Sequence, residues 1–126
     1  MFTWQNVLLV FVGAGFGGVL RFGLLGLLSR FALTAPWPLM VVNVSGSLVI
    51  GLISGVVMQK NVDSAWVLFL TVGVLGGFTT FSTFSLDALV LFRNGAVGLA
   101  LIGVLGNVIF SIGACALGLW LGSRLA

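Results

Sequence analysis

Residues 76–85 read GGFTTFSTFS, and they interrupt an apolar run that continues on both sides. A lipid-facing helix would carry Leu, Ile and Val here. Instead there are two glycines, five hydroxyl residues and three phenylalanines. Gly76 and Gly77 lower the cost of a departure from helix and let backbones approach closely. Thr79, Thr80, Ser82, Thr83 and Ser85 can satisfy the backbone groups that a break would free. The mixture predicts a membrane segment broken near its middle. A plain helix, with the same residues only packing against neighbours, is the competing reading.

The surrounding composition places the stretch in a bilayer. The chain has 126 residues, the size of one domain; 60% are hydrophobic and 6% charged. Mean hydropathy is +1.33. A soluble domain needs far more charge to cover its surface, so this is an integral membrane protein. The apolar character continues to the C-terminus, which a cleaved signal peptide does not explain. Five basic residues against two acidic ones are too sparse for a nucleic-acid patch. Cys115 is the single cysteine and there is no histidine, which leaves no intrachain disulfide and no metal-ligand cluster. The inventory builds no Ser-His-Asp, Cys-His or paired-carboxylate arrangement, so the expected activity is not enzymatic.

Four apolar runs, at residues 7–28, 39–58, 66–92 and 96–121, are long enough to cross a bilayer core, which takes about 20 residues. Lipid offers the backbone no partner, so the runs should be helices. The alternating ten-residue strands of a β-barrel are absent. Residues 1–126 therefore read as one four-helix transmembrane domain. Pro36 and Pro38 predict extended geometry before the second run. Trp4, Trp37, Trp66 and Trp120 fall at the ends of runs, as an aromatic belt would place them. Gly13 and Gly17, Gly51 and Gly55, and Gly118 and Gly122 repeat at a spacing of four, which predicts close helix packing.

Loop charge gives no orientation. Four spans put Lys60 and Arg124 on one side and Arg30 and Arg93 on the other. Loop Lys and Arg bias normally sets topology, and here it is balanced. Insertion in both orientations, followed by assembly as an antiparallel pair, explains the balance; chance explains it too. Four helices lined with Gly and Phe also leave little room for an internal pathway. A homodimer with the pathway near its interface fits better, since two-fold pairs are the commonest oligomers.

Polar groups inside the spans are costly and mark candidate functional positions. Arg21 either caps carbonyls or anchors an interface, or supplies positive potential that draws an anion inward. Asn43 offers two donors and an acceptor, for an interhelical bond or for an anion in a vestibule. Asn107, Ser111 and Cys115 are spaced i, i+4, i+8 and share one face of the fourth helix, either as a polar track or as a glued face. Asp87 reads as a structural acid paired with Arg93 or Arg21, or as a gating group. Phe78, Phe81 and Phe84 recur every three residues. A ring edge is positive and attracts an anion, whereas its face attracts a cation. Carbonyls freed by a break can seat a small cation.

GGFTTFSTFS, with GGVLR upstream, the VNVSG stretch and the polar face on the last helix, resembles the Fluc (CrcB) family of bacterial fluoride channels over essentially the whole chain. The resemblance implies an antiparallel, dual-topology homodimer with two fluoride pores, spanning the bacterial inner membrane and exporting fluoride passively. It implies a structural sodium ion (Na+) at the dimer centre, held by the backbone carbonyls of Gly76 and Thr79 from both subunits. Fluoride would pass the ring edges of Phe81 and Phe84, the amide of Asn43, and a track of Thr83, Asn107, Ser111 and Cys115. Arg21 takes the place of the family's helix-one arginine and Asp87 that of the acid after the motif. Two departures stand out. Asp87 is a methylene shorter than the family's usual Glu, and Cys115 puts a weak thiol donor where a hydroxyl is expected. Phe78 reads as packing. A small multidrug transporter would share the four helices and dual topology but needs an acid in its first helix, where this chain has Arg21. A purely structural subunit would need no polar track.

Overall fold

The computed structural model describes residues 1–126 and is all-helical. Helix α1 spans Trp4–Ser29 and α2 spans Trp37–Gln59. A third span is assembled from α3 (Ser64–Leu68), a π-helical segment (Phe69–Leu75), α4 (Gly76–Phe78) and α5 (Ser82–Arg93). Helix α6 spans Val97–Leu125. The four spans are 26, 23, 30 and 29 residues long and apolar enough to cross a membrane. At about 1.5 Å per residue each exceeds a hydrocarbon core of about 30 Å.

Local chemistry sets the ends. The Thr3 side chain accepts from the Asn6 N–H at 3.2 Å and caps α1. Asp63 caps α3 by accepting from the Ala65 N–H at 2.8 Å. Pro38 lies in the first turn of α2, where a missing N–H costs nothing, and residues 35–36 form a turn with Pro36 at ψ of 2°, so the extended geometry expected there does not form. Gly95 turns the chain into α6 with φ of 81°, a conformation that favours glycine. Trp4 and Trp37 open α1 and α2, and Arg124 lies 5.4 Å from the centre of the Trp120 ring near the end of α6.

The three glycine repeats all lie at helix crossings. A Cβ on Gly118 would sit 2.2 Å from the Leu48 carbonyl oxygen, and one on Gly51 2.2 Å from that of Cys115. Helices α2 and α6 thus touch backbone to backbone along Gly51, Gly55, Gly118 and Gly122. Gly13 and Gly17 bring α1 equally close to the π-helical segment and α4. Without water between helices to drive association, such close van der Waals contact is a main source of stability.

The break in the third span lets it change partners. Its first half packs on α1, and α5 packs on α6. Thr79 leaves the helix with ψ of 156°, and helix resumes at Ser82. The break expected from residues 76–85 is therefore present, at residues 79–81. The π-helical turn just before it had no counterpart in the sequence reading. π-helical turns are rare and recur at functional sites.

Candidate functional site

A broken helix in lipid must hand its freed backbone groups to other partners. In an unbroken helix the Thr80 N–H would return to the Gly76 carbonyl. Here it donates to Asn43 Oδ1 at 2.9 Å. Asn43 Nδ2 donates back to the Thr80 carbonyl at 3.0 Å, so one side chain serves both backbone groups of one residue. The same Nδ2 donates to Asn107 Oδ1 at 3.0 Å, and Asn107 Nδ2 donates to the Gly103 carbonyl at 3.0 Å. Arg21 Nη1 donates to the Thr79 carbonyl at 3.2 Å. The capping reading of Arg21 is the one its geometry matches. On the far side, the Thr80 hydroxyl donates to Thr83 Oγ1 at 3.2 Å, and the Ser85 hydroxyl to the Phe81 carbonyl at 2.8 Å.

Around this break opens a groove of about 390 Å³. Asn43, Gly76, Thr79 and Phe81 line it, with Phe84, Asn107 and Ser111. Seven of the expected site residues, from three spans, thus converge. The rings of Phe81 and Phe84 meet edge to face, with centres 5.4 Å apart and planes at 69°. Phe84 is 8% exposed whereas Phe81 is 77% exposed, so the outer ring has no cover within one chain. The Ser111 hydroxyl is buried and has no hydrogen-bond partner in the chain. It is a free donor beside the rings.

Residues 8–119 match the model of the family described as CrcB-like protein, Camphor Resistance (CrcB). A protein of Beijerinckia indica subsp. indica named fluoride-specific ion channel FluC is 46% identical over 126 residues, covering 97% of this chain and 99% of its own. A protein of Methylobacterium nodulans with the same name is 49% identical over 104 residues, covering 82% and 84%. The chain belongs to the CrcB family. The resemblance carried by residues 76–85, GGVLR and VNVSG is therefore a true family signal.

Within this member of the CrcB family, four expected site residues lie outside the lining of the groove. Thr83 is exposed on the first turn of α5, bonded to Thr80. Cys115 is half-buried on α6, one turn beyond Ser111. Arg21 reaches only the Thr79 carbonyl. Asp87 is half-buried beside a space of about 10 Å³ lined also by Pro36, Leu39, Phe84 and Asn107. The reading of Asp87 as paired with Arg21 or Arg93 is not met: Asp87 forms no ion pair with either, and Arg21 turns to the Thr79 carbonyl. On α6, Gly103 and Gly106 face Pro36 and Met40, whereas a Cβ on Gly113 would meet nothing within 4 Å.

The donor set for a cation is made of backbone oxygen. No group of three or more His, Cys, Asp or Glu side chains could hold a metal. The Gly76 carbonyl has lost its Thr80 donor and is free to serve an ion. The Thr79 carbonyl keeps one lone pair beyond its bond to Arg21. Neutral oxygen ligands suit a hard cation and do not suit a soft transition metal. By chemistry, these carbonyls fit a small alkali ion better than a transition metal. The Asn43–Asn107 bond is the feature that sequence reasoning missed. Both residues were singled out, but nothing in the spacing of two positions 64 apart announces that they touch.

Proposed function

We propose that the chain is a fluoride-selective ion channel that passively exports fluoride across the bacterial inner membrane and lowers its toxicity. It works as an antiparallel, dual-topology homodimer with two pores and a structural sodium at the interface. The observation that carries this reading is 46% identity, across 97% of the chain, to a protein named as a fluoride-specific ion channel. The site supplies the physical support. Fluoride is small and strongly hydrated, so removing its water is costly. A pathway must replace that shell stepwise, with no site so tight that conduction stalls. Neutral donors meet this requirement: the ring edges of Phe81 and Phe84, the free hydroxyl of Ser111, and Thr83 and Cys115 at the flanks. Asn43 and Asn107 form the polar wall of the same groove.

The homodimer is supported by what a single chain leaves uncovered. A groove lined by amides, hydroxyls and carbonyls cannot face lipid tails without loss. A second copy placed over it would enclose the groove and the exposed Phe81 ring. The balanced loop charges, two on each side, suit a partner inserted the other way up. A sodium ion there supplies fixed positive charge against the Gly76 and Thr79 carbonyls and ties the subunits together.

Growth tests this reading in cells that lack their own fluoride exporter. Expression of the chain is expected to restore growth in millimolar-range fluoride, and a failure to restore it contradicts the function. Phe81→Ile keeps the apolar bulk but removes the ring edge. It is expected to reduce fluoride flux about tenfold or more, the effect of losing about 1.4 kcal/mol at one step. Flux equal to wild type would show that the ring is not part of the pathway.

A further inference from the structure

The polar network behind the groove has a fixed direction. At one end stand the N–H and C=O of Thr80, at the other the C=O of Gly103. A backbone N–H must meet an oxygen and a carbonyl must meet an N–H. Only one orientation of each amide satisfies all these contacts. Oδ1 of Asn43 takes the Thr80 N–H, its Nδ2 faces the Thr80 carbonyl and Asn107 Oδ1, and Asn107 Nδ2 faces Gly103. Asn107 is 5% exposed, so it cannot turn to water for another partner. Both amide hydrogens of Asn43 are in use, and none is left to give an ion.

The same geometry says what Asn43 does instead. Helix flanks the break on both sides, and Thr80 follows Gly76 by four residues, the spacing of a helical bond. In place of the Gly76 carbonyl, the Thr80 N–H meets Asn43 Oδ1 at 2.9 Å. We infer that Asn43, oriented by Asn107, is a positioning residue that keeps the Gly76 carbonyl free and thereby sets the affinity of the break for a cation. This rests on the reading of Gly76 as a cation ligand given under the proposed function. Asn43 then acts on ion handling through the backbone, and Asn107 acts through Asn43.

The test is the sodium dependence of stability. The full chain is purified, and its thermal unfolding is followed across a sodium chloride series balanced with N-methylglucamine chloride. Wild type is expected to be stabilised with a measurable half-point in sodium. Asn43→Leu removes both bonds to Thr80 and is expected to raise that half-point about tenfold or more, the scale of one or two lost hydrogen bonds. Asn107→Leu leaves Asn43 unoriented and is expected to raise it about threefold or more. Asn107→Asp keeps an acceptor opposite Asn43 Nδ2, and its second oxygen, when protonated, still donates to the Gly103 carbonyl, so it is expected to raise the half-point less than Asn107→Leu does. A wild-type half-point that does not exist overturns the cation reading and this inference with it. A sodium-dependent wild type with an unchanged half-point in Asn43→Leu overturns the inference alone. If Asn43→Leu does not fold, an unchanged half-point in Asn107→Leu overturns it equally. A half-point in Asn107→Asp raised as far as in Asn107→Leu overturns the part assigned to Asn107.

Discussion

Asn43→Asp is expected to lower fluoride efflux about 100-fold or more, measured as the initial rate from proteoliposomes at matched protein content. Two effects act together. The carboxylate can still accept the Thr80 N–H, but its second oxygen now faces two acceptors, the Thr80 carbonyl and Asn107 Oδ1. Asn107 could turn its amide to donate, but its oxygen would then oppose the Gly103 carbonyl. The mismatch therefore travels the length of the network, and each unsatisfied buried group costs about 1–3 kcal/mol. The second effect is a negative charge beside a groove proposed to carry an anion, and like charges in a poorly solvated site repel strongly. Together these make a barrier of about 3 kcal/mol, or roughly 100-fold in rate, a conservative figure. Efflux within threefold of wild type would show that neither the network nor the local potential controls conduction.

Gly118→Val is expected to prevent recovery of folded protein. The added Cβ would lie 2.2 Å from the Leu48 carbonyl oxygen and 2.8 Å from the Leu52 nitrogen. Both obstacles are backbone, so no side chain can swing aside. Relief requires α2 and α6 to separate, and their contact runs along the lengths of both helices through Gly51, Gly55 and Gly122. Overpacking usually costs about 1–3 kcal/mol, and an unyielding backbone raises this toward the 4–5 kcal/mol that marks severe mutations. Gly98→Ala, in the same helix, meets nothing within 4 Å and is expected to behave as wild type. The measurement is the yield of monodisperse protein by size-exclusion chromatography. Equal yields from Gly118→Val and wild type would contradict the packing account.

The parts of the structure that depend on composition were legible, and those that depend on meeting a distant partner were not. Four spans follow from hydropathy, although each helix extends past its apolar run. Helix α1 starts at Trp4 rather than residue 7, and α6 runs to Leu125 rather than residue 121. Their ends are amphipathic, and apolar runs undercount residues that sit at the interface. The glycine repeats were readable because a spacing of four has one meaning in a membrane helix. The break was readable because glycines and hydroxyls are out of place in lipid, and Thr79 marks it in both sequence and structure.

The π-helical turn at Phe69–Leu75 was not readable. Its sequence, FLTVGVL, is ordinary for a membrane helix. The close approach of Gly13 to Gly73 lies within that turn, and no local pattern records it. The polar residues were recognised individually, but their partners were not. Arg21 was read as capping carbonyls among other roles, but which carbonyl it meets, that of Thr79, was not legible. Asn43 was read as an interhelical or anion-facing group and Asn107 as part of a polar track or a glued face, with no link between the two. Helices α2 and α6 must pack together before the two side chains meet, and that meeting turns both into the wall that holds the break.

The central claim is fluoride-selective conduction, and it is tested most directly by anion efflux from proteoliposomes. The purified chain is reconstituted into vesicles loaded with potassium fluoride or potassium chloride, and efflux is followed by ion-selective electrodes after valinomycin is added. Rapid fluoride efflux with chloride retained is the predicted result. Retention of fluoride, equal efflux of both anions, or exchange of a cationic drug for protons would contradict it.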